Sequence, residues 1–146
     1  MEFIMNWLPL SASDHELIAV ASALIDSRFT PKRHLVAAAV RTSAGHVFTG
    51  IHLKSTVIDI CAECVALGTA LTVADEAIET VVALIKTNEY QRPTLISPCG
   101  TCRELILFYS RIACAIVQNG EVPAKCRIEE LLPLPFTLST VGARAC

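Results

Sequence analysis

Residues 61–86 read CAECVALGTALTVADEAIETVVALIK, and the architecture turns on this stretch. Its first half, 61–74, spaces apolar residues as a helix does, with Val65, Leu67, Ala70 and Leu71 expected on the inner side. Its second half, 78–86, is a run rich in Val and Ile, as expected of a central strand covered on both faces. A helix leading into a doubly covered strand implies helices layered on either side of a sheet. Upstream, 35–41 is a continuous apolar run and 46–53 alternates loosely, while Ser43-Ala44-Gly45 between them predicts a hairpin turn. An earlier helix is expected to open with a capping box at Ser13 and Glu16, to run to about Phe29, and to stop at Pro31. Downstream, Pro98-Cys99 starts a helix that ends near Ser110. Strands follow at 112–118 and 124–128, with a helical turn at 128–132 before Pro133. The order α-β-β-α-β-α-β-β predicts a five-stranded mixed sheet flanked by helices, a three-layer α/β fold.

The chain has 146 residues, a length that suits one domain. No repeat, low-complexity tract or linker divides it, so 1–146 reads as one unit with a core over about 12–136 and a loose tail at 137–146. Hydrophobic residues make up 53% and mean hydropathy is +0.52, which excludes a disordered chain. Charged residues are 18%, below the roughly 25% of an average domain, so part of the surface is expected to pack against copies of the chain. Net charge is −2 and the pI is near 6.1, leaving no basic footprint for a polynucleotide. The uncharged stretches 3–13 and 17–25 are far shorter than the ~20 residues that cross a bilayer, so no membrane partner is expected. Met1-Glu2-Phe3-Ile4-Met5 has no basic residue of the kind that starts a secretory leader. Seven cysteines, an odd count, then read as thiols or metal ligands in the reducing cytoplasm.

The cysteines are arranged for a metal. Cys61-Ala62-Glu63 opens one predicted helix, and Pro98-Cys99-Gly100-Thr101-Cys102 opens another. Zinc favours soft ligands in a tetrahedron, and a catalytic site uses three of them so that water takes the fourth corner. Cys99 and Cys102, three apart at a helix start, place both sulfurs on one face. Pro98 is tolerated there because its missing N–H would have no partner in the helix. Three thiolates leave a zinc site at formal charge −1, which two helix N-termini offset in part, each worth about half an elementary charge. The competing arrangement is a closed structural zinc on four cysteines, Cys61-x2-Cys64 with Cys99-x2-Cys102. Two points favour the open site. Zinc knuckles sit on turns, whereas both pairs here begin long apolar helices, and a closed site leaves Glu63 without a purpose.

This constellation resembles that of the cytidine deaminase superfamily, whose pattern is H/C-A-E followed by P-C-x-x-C. Val36-Ala37-Ala38-Ala39-Val40, Gly45 and Phe48-Thr49-Gly50 are similar to the V-G-A-A and F/Y-x-G strands of the small free-nucleoside deaminases. Glu130-Leu131-Leu132-Pro133 with Phe136 resembles their L-L-P-x-x-F end. The resemblance implies that Cys61, Cys99 and Cys102 hold zinc, and that the metal lowers the pKa of a bound water. It implies that Glu63 takes a proton from that water, delivers it to ring N3 and later protonates the departing ammonia. The backbone at Ala62 and Ser97 would hold the exocyclic amino group. It also implies a homotetramer in which Phe136 reaches a neighbour's site.

Departures from the pattern bear on the substrate. The family typically carries N-x-E two positions after F-x-G, with both side chains on the ribose hydroxyls; here those positions are His52 and Lys54. Lys54 offers donors and no acceptor, so it suits a carboxylate or phosphate better than a sugar diol. The loop onward to Cys61 has the shorter length seen in blasticidin S deaminases. His34 stands where an aromatic usually precedes the V-G-A-A strand, and can still stack on a base. Cys64 occupies a place that is often Arg in three-cysteine members, which leaves Arg103 as the nearer cation. The expectation is hydrolytic deamination of the 4-amino group of a free cytosine nucleoside, or of a modified one of the blasticidin S type. Ordinary cytidine or deoxycytidine salvage and a non-catalytic four-cysteine zinc module are the alternatives.

Overall fold

A computed structural model describes residues 4–137. Helix α1 (Ala12–Arg28) is followed by strands β1 (Val36–Thr42), β2 (Val47–Ile51), β3 (Leu53–Lys54) and β4 (Asp59–Ile60). Then come α2 (Ala62–Val73), β5 (Ile78–Ile85), β6 (Thr94–Ile96) and α3 (Gly100–Tyr109). Strands β7 (Cys114–Asn119) and β8 (Val122–Arg127) and a 3-10 turn (Ile128–Leu131) complete the order. The main sheet runs β2-β1-β5-β7-β8, the five strands expected, with β6 added alongside the end of β5. It is mixed: β5 and β7 are parallel, the other pairs antiparallel. Among the described residues no helix is long and apolar enough to cross a membrane.

The central strands look uniformly apolar because each face meets a helix layer. Ala37 and Ala39 of β1, Val82 and Leu84 of β5, and Ile116 of β7 pack under α1 with Leu17, Ala21 and Ile25. The alternate residues Ala38, Val40, Val81, Ala83, Ala115 and Val117 face α2 and α3. The period of two survives, but both phases are buried.

Two expectations are corrected. The cap of α1 is Ser11, not Ser13: the Ser11 hydroxyl accepts from the Asp14 N–H, and the Asp14 carboxylate accepts from the Ser11 N–H. Asp14 is the better partner because Arg41 and Lys125 also hold it, whereas Glu16 is exposed. The inner face of α2 is Ala62, Glu63, Ala66, Leu67 and Ala70, while Val65 is half-buried and Leu71 exposed. The reason lies in β2. A Cβ at Gly50 would stand 2.2 Å from the Ala66 nitrogen and 2.5 Å from the Ala62 carbonyl oxygen. Helix α2 lies directly on that glycine, and only its small-residue face fits so close a contact.

Candidate metal and catalytic site

Helices α2 and α3 begin side by side, each capped by a cysteine. Cys61 is the N-cap of α2 and Cys99 the N-cap of α3, where the Cys99 sulfur accepts from the Cys102 N–H at 3.5 Å. Two short strands absent from the sequence reading, β4 and β6, lead into Cys61 and Cys99. The Cys61 and Cys99 sulfurs are 3.6 Å apart, and with Cys102 they form a trio whose sulfurs all lie within 4.8 Å of one another. Zinc–sulfur bonds of about 2.3 Å arranged tetrahedrally would put sulfurs roughly 3.8 Å apart, so the trio has the size of such a site. Cys64 touches Cys102, sulfur to sulfur at 3.8 Å, but does not belong to the mutual trio. A closed tetrahedron needs all six sulfur–sulfur edges short, and Cys64 does not supply them.

Electrostatics make this donor set suited to a cation. Glu63, at the second position of α2, is 5% exposed, and burial raises its carboxyl above the usual range. Burial first, then the Cys99 thiol and the Glu63 charge, push Cys61 up to about 11. Cys102 is driven higher still by burial, by Glu63 and by Cys64. Cys99 alone lies below its ordinary value: burial opposes ionisation, but N–H groups of Cys102 and Thr101 and the neighbouring thiols outweigh it. Only one thiolate is comfortable among these groups without a positive charge in their midst. The residues therefore fit a divalent metal in number, softness, spacing and charge.

His52 is buried at the junction of β2 and β3. Its Nε2–H donates to the Asp59 carboxylate, and its Nδ1 faces the Leu35 N–H at 3.5 Å. His34 is half-buried, with Nδ1 donating to the His52 carbonyl at 2.8 Å. Lys54 lies opposite Asp59 on the β3–β4 hairpin, its Nζ 3.4 Å from that carboxylate. Asp59 is the residue the sequence reading missed. It draws both departures from the family pattern into one cluster, and the hydrogen bond from His52 leads the causes that lower its pKa. Its signal was an acid on the segment leading into Cys61, legible only once β3 and β4 pair.

The remaining residues fall into two groups. Ala62 is buried at the start of α2 and Ser97 is exposed just before Pro98, so both flank the trio through the backbone. Arg103 donates to the Pro98 carbonyl at 2.8 Å and the Leu131 carbonyl at 3.1 Å, tying the start of α3 to the 3-10 turn. Phe136 is 69% exposed and lines a shallow hollow with Leu107, Phe108 and Pro135 over α3. It does not cover this chain's own core.

No protein-family model matches the chain. The chain is 33% identical over 138 residues to the blasticidin-S deaminase of Bacillus cereus, covering 91% of this chain and 99% of that one. It is 26% identical over 112 residues to a probable cytidine deaminase of Dictyostelium discoideum, covering 75% and 74%. Among solved structures, the cytidine deaminase from Bacillus anthracis superposes with a TM-score of 0.74 at 23% identity, over 88% of this chain and 92% of that one. At that identity the superposition speaks for the fold.

Proposed function

The chain belongs to the cytidine deaminase superfamily and is a deaminase of the hydrolase class, and from that premise we propose that it is a zinc enzyme acting on cytosine nucleosides. The reaction removes the 4-amino group of a free or modified cytosine nucleoside of the blasticidin S type. The observation that carries this reading is the trio of Cys61, Cys99 and Cys102 with Glu63 buried beside it. These three cysteines hold the zinc ion, which when bound supplies water acidified towards neutral pH. Glu63 takes a proton from the attacking water and passes it to ring N3. It then delivers a proton to the amino group, which leaves as ammonia while the water oxygen becomes the carbonyl oxygen of the uracil product. Its burial suits this work, because a carboxyl with a raised pKa both accepts and returns a proton readily. Backbone groups at Ala62 and Ser97 hold the amino group, and His34 stacks on the ring.

The modified nucleoside is preferred over plain cytidine on two grounds. His52 and Lys54 are committed to Asp59, where a pair of ribose-binding acceptors would be expected. The relative of higher identity is the blasticidin-S deaminase. Phe108, Tyr109, Leu134 and Phe136 present large apolar groups to solvent, which supports assembly into a homotetramer that places Phe136 over a neighbour's substrate. Screening cytidine, deoxycytidine, cytosine, blasticidin S and 5-substituted cytosines by the absorbance change on deamination tests the function. Metal analysis of the same sample should find one zinc per chain. Zinc-loaded protein inactive on every one of these substrates would overturn the reading.

A further inference from the structure

The loop between α1 and β1 is drawn tight. Arg33 and His34 both donate backbone N–H groups to the Thr30 carbonyl, at 3.1 and 3.0 Å, and the Thr30 N–H donates to the His34 carbonyl at 3.2 Å. This turn holds Lys32 at a φ of 70°, the only non-glycine in the left-handed region among the described residues. A side chain there is strained against its own backbone. Glycine would sit there without strain, but it carries no charge.

Lys32, Arg33 and His34 line a cavity of about 610 Å³ together with Lys54, Ser55 and Thr56. No carboxylate lines it. Lysine, arginine and hydroxyl groups give it many donors, and only the hydroxyls and the His34 ring can also accept. Among the described residues Lys32 and Arg33 make no ion pair, and Lys54 reaches only Asp59. Arg28 and His34 share an adjoining hollow with Thr49 and Gly50, which adds another cation. On a chain of net charge −2, this is a local concentration of positive charge. It also borders the reacting site, because Lys54 pairs with Asp59 on β4, the strand that runs directly into Cys61.

We propose that this cavity is an anion subsite, receiving a carboxylate or phosphate borne on the sugar side of the cytosine nucleoside. It rests on the reading that the Glu63 site deaminates a cytosine ring, and adds the charge class of the substrate. Lys32 and Arg33 are specificity-determining residues that touch the anion and leave the reacting atoms to the thiol trio and Glu63.

The test compares kcat and KM for cytidine, its 5′-monophosphate and its 5′-carboxylate analogue. It uses the zinc-loaded protein and the double variant Lys32→Gln, Arg33→Gln. One anionic substrate should be favoured over cytidine by about tenfold in kcat/KM, through KM. That advantage should shrink at about 1 M salt, where the screening length is near 3 Å, and should collapse in the double variant. Which of the two anions is favoured identifies the source. Equal kcat/KM for all three compounds, or a preference the variant retains, would overturn the subsite. Lys32→Gly guards against a folding defect: it relieves the strained φ, so a folded protein should result with the preference weakened. Calorimetric titration with uridine, its 5′-monophosphate and its 5′-carboxylate separates this proposal from the deaminase reading. Tighter binding of an anionic product in a protein inactive on every cytosine compound would uphold the subsite and remove the deamination. No difference in binding would remove the subsite alone.

Discussion

Glu63 sits in the first turn of a helix, between two cysteines, with its carboxyl withdrawn from water. An ordinary carboxylate in the first turn of a helix faces solvent and gains from the dipole; this one bears a desolvation cost instead, which argues for chemistry. Glu63→Gln should keep the fold and the zinc and lose at least ~100-fold in kcat, the low end for a positioned general acid–base. Near-normal turnover by a zinc-loaded variant would remove Glu63 from the mechanism. Cys64 poses the opposite question, since it touches Cys102 without joining the trio. Cys64→Ser should retain one zinc per chain by metal analysis, and loss of the metal would sink the three-ligand site. The motifs around Cys61, Glu63, Cys99 and Cys102 were legible in the sequence because helix spacing alone sets which side chains share a turn. Asp59 was not, because its partners His52 and Lys54 reach it only across a hairpin.

Between elements, the decisive contact is α2 on β2. Gly50 gives the helix room to approach, and this approach sets where Cys61 and Glu63 stand relative to the α3 cysteines. Gly50→Ala forces a Cβ onto helix backbone, which cannot give way as a flexible side chain can. Overpacking of this kind costs about 1–3 kcal/mol, so thermal unfolding should come at a lower temperature. Activity should fall further than stability explains, because the shifted helix carries Glu63, the proposed proton carrier. Unchanged activity in the folded variant would mean that α2 can move without disturbing the site. The same contact explains why the inner face of α2 was misassigned: hydrophobicity favoured Val65 and Leu71, but space favoured Ala62 and Ala66.

Across the molecule, Asp14 ties α1 to both halves of the sheet. It is fully buried, with Arg41 of β1 at 2.7 Å and Lys125 of β8 at 3.0 Å. Burial works against its charge, but the Ser11 N–H, Arg41 and Lys125 prevail and hold the carboxyl at about 2. A depressed folded-state pKa means stability present above about 4 and lost as the pH falls through about 2, on the order of 2 kcal/mol. Asp14→Asn should therefore flatten the acid limb of the stability curve. At neutral pH it should cost about 3–5 kcal/mol, because Arg41 is left buried without its closest partner. An unaltered acid limb in denaturant titrations would show that other carboxylates govern it. Assembly is the other property at this level: light scattering should give the mass of four chains, and Phe136→Ala should raise KM with the fold intact. A monomer fully active at nanomolar concentration would defeat the shared site. Period and composition determined the three layers and the order of the main strands along the chain, and the spacing at two helix starts singled out Cys61, Glu63, Cys99 and Cys102 as candidates, since each depends on neighbours within a few residues. The tertiary structure alone decided that Ser11 caps α1, that β4 and β6 deliver the cysteines, that Asp59 gathers His52 and Lys54, and that a strained Lys32 gathers with Lys54 around one cavity. Those outcomes depend on which distant segments meet, and the close contact of α2 with Gly50 and the turn at Thr30 exist only once the chain has folded.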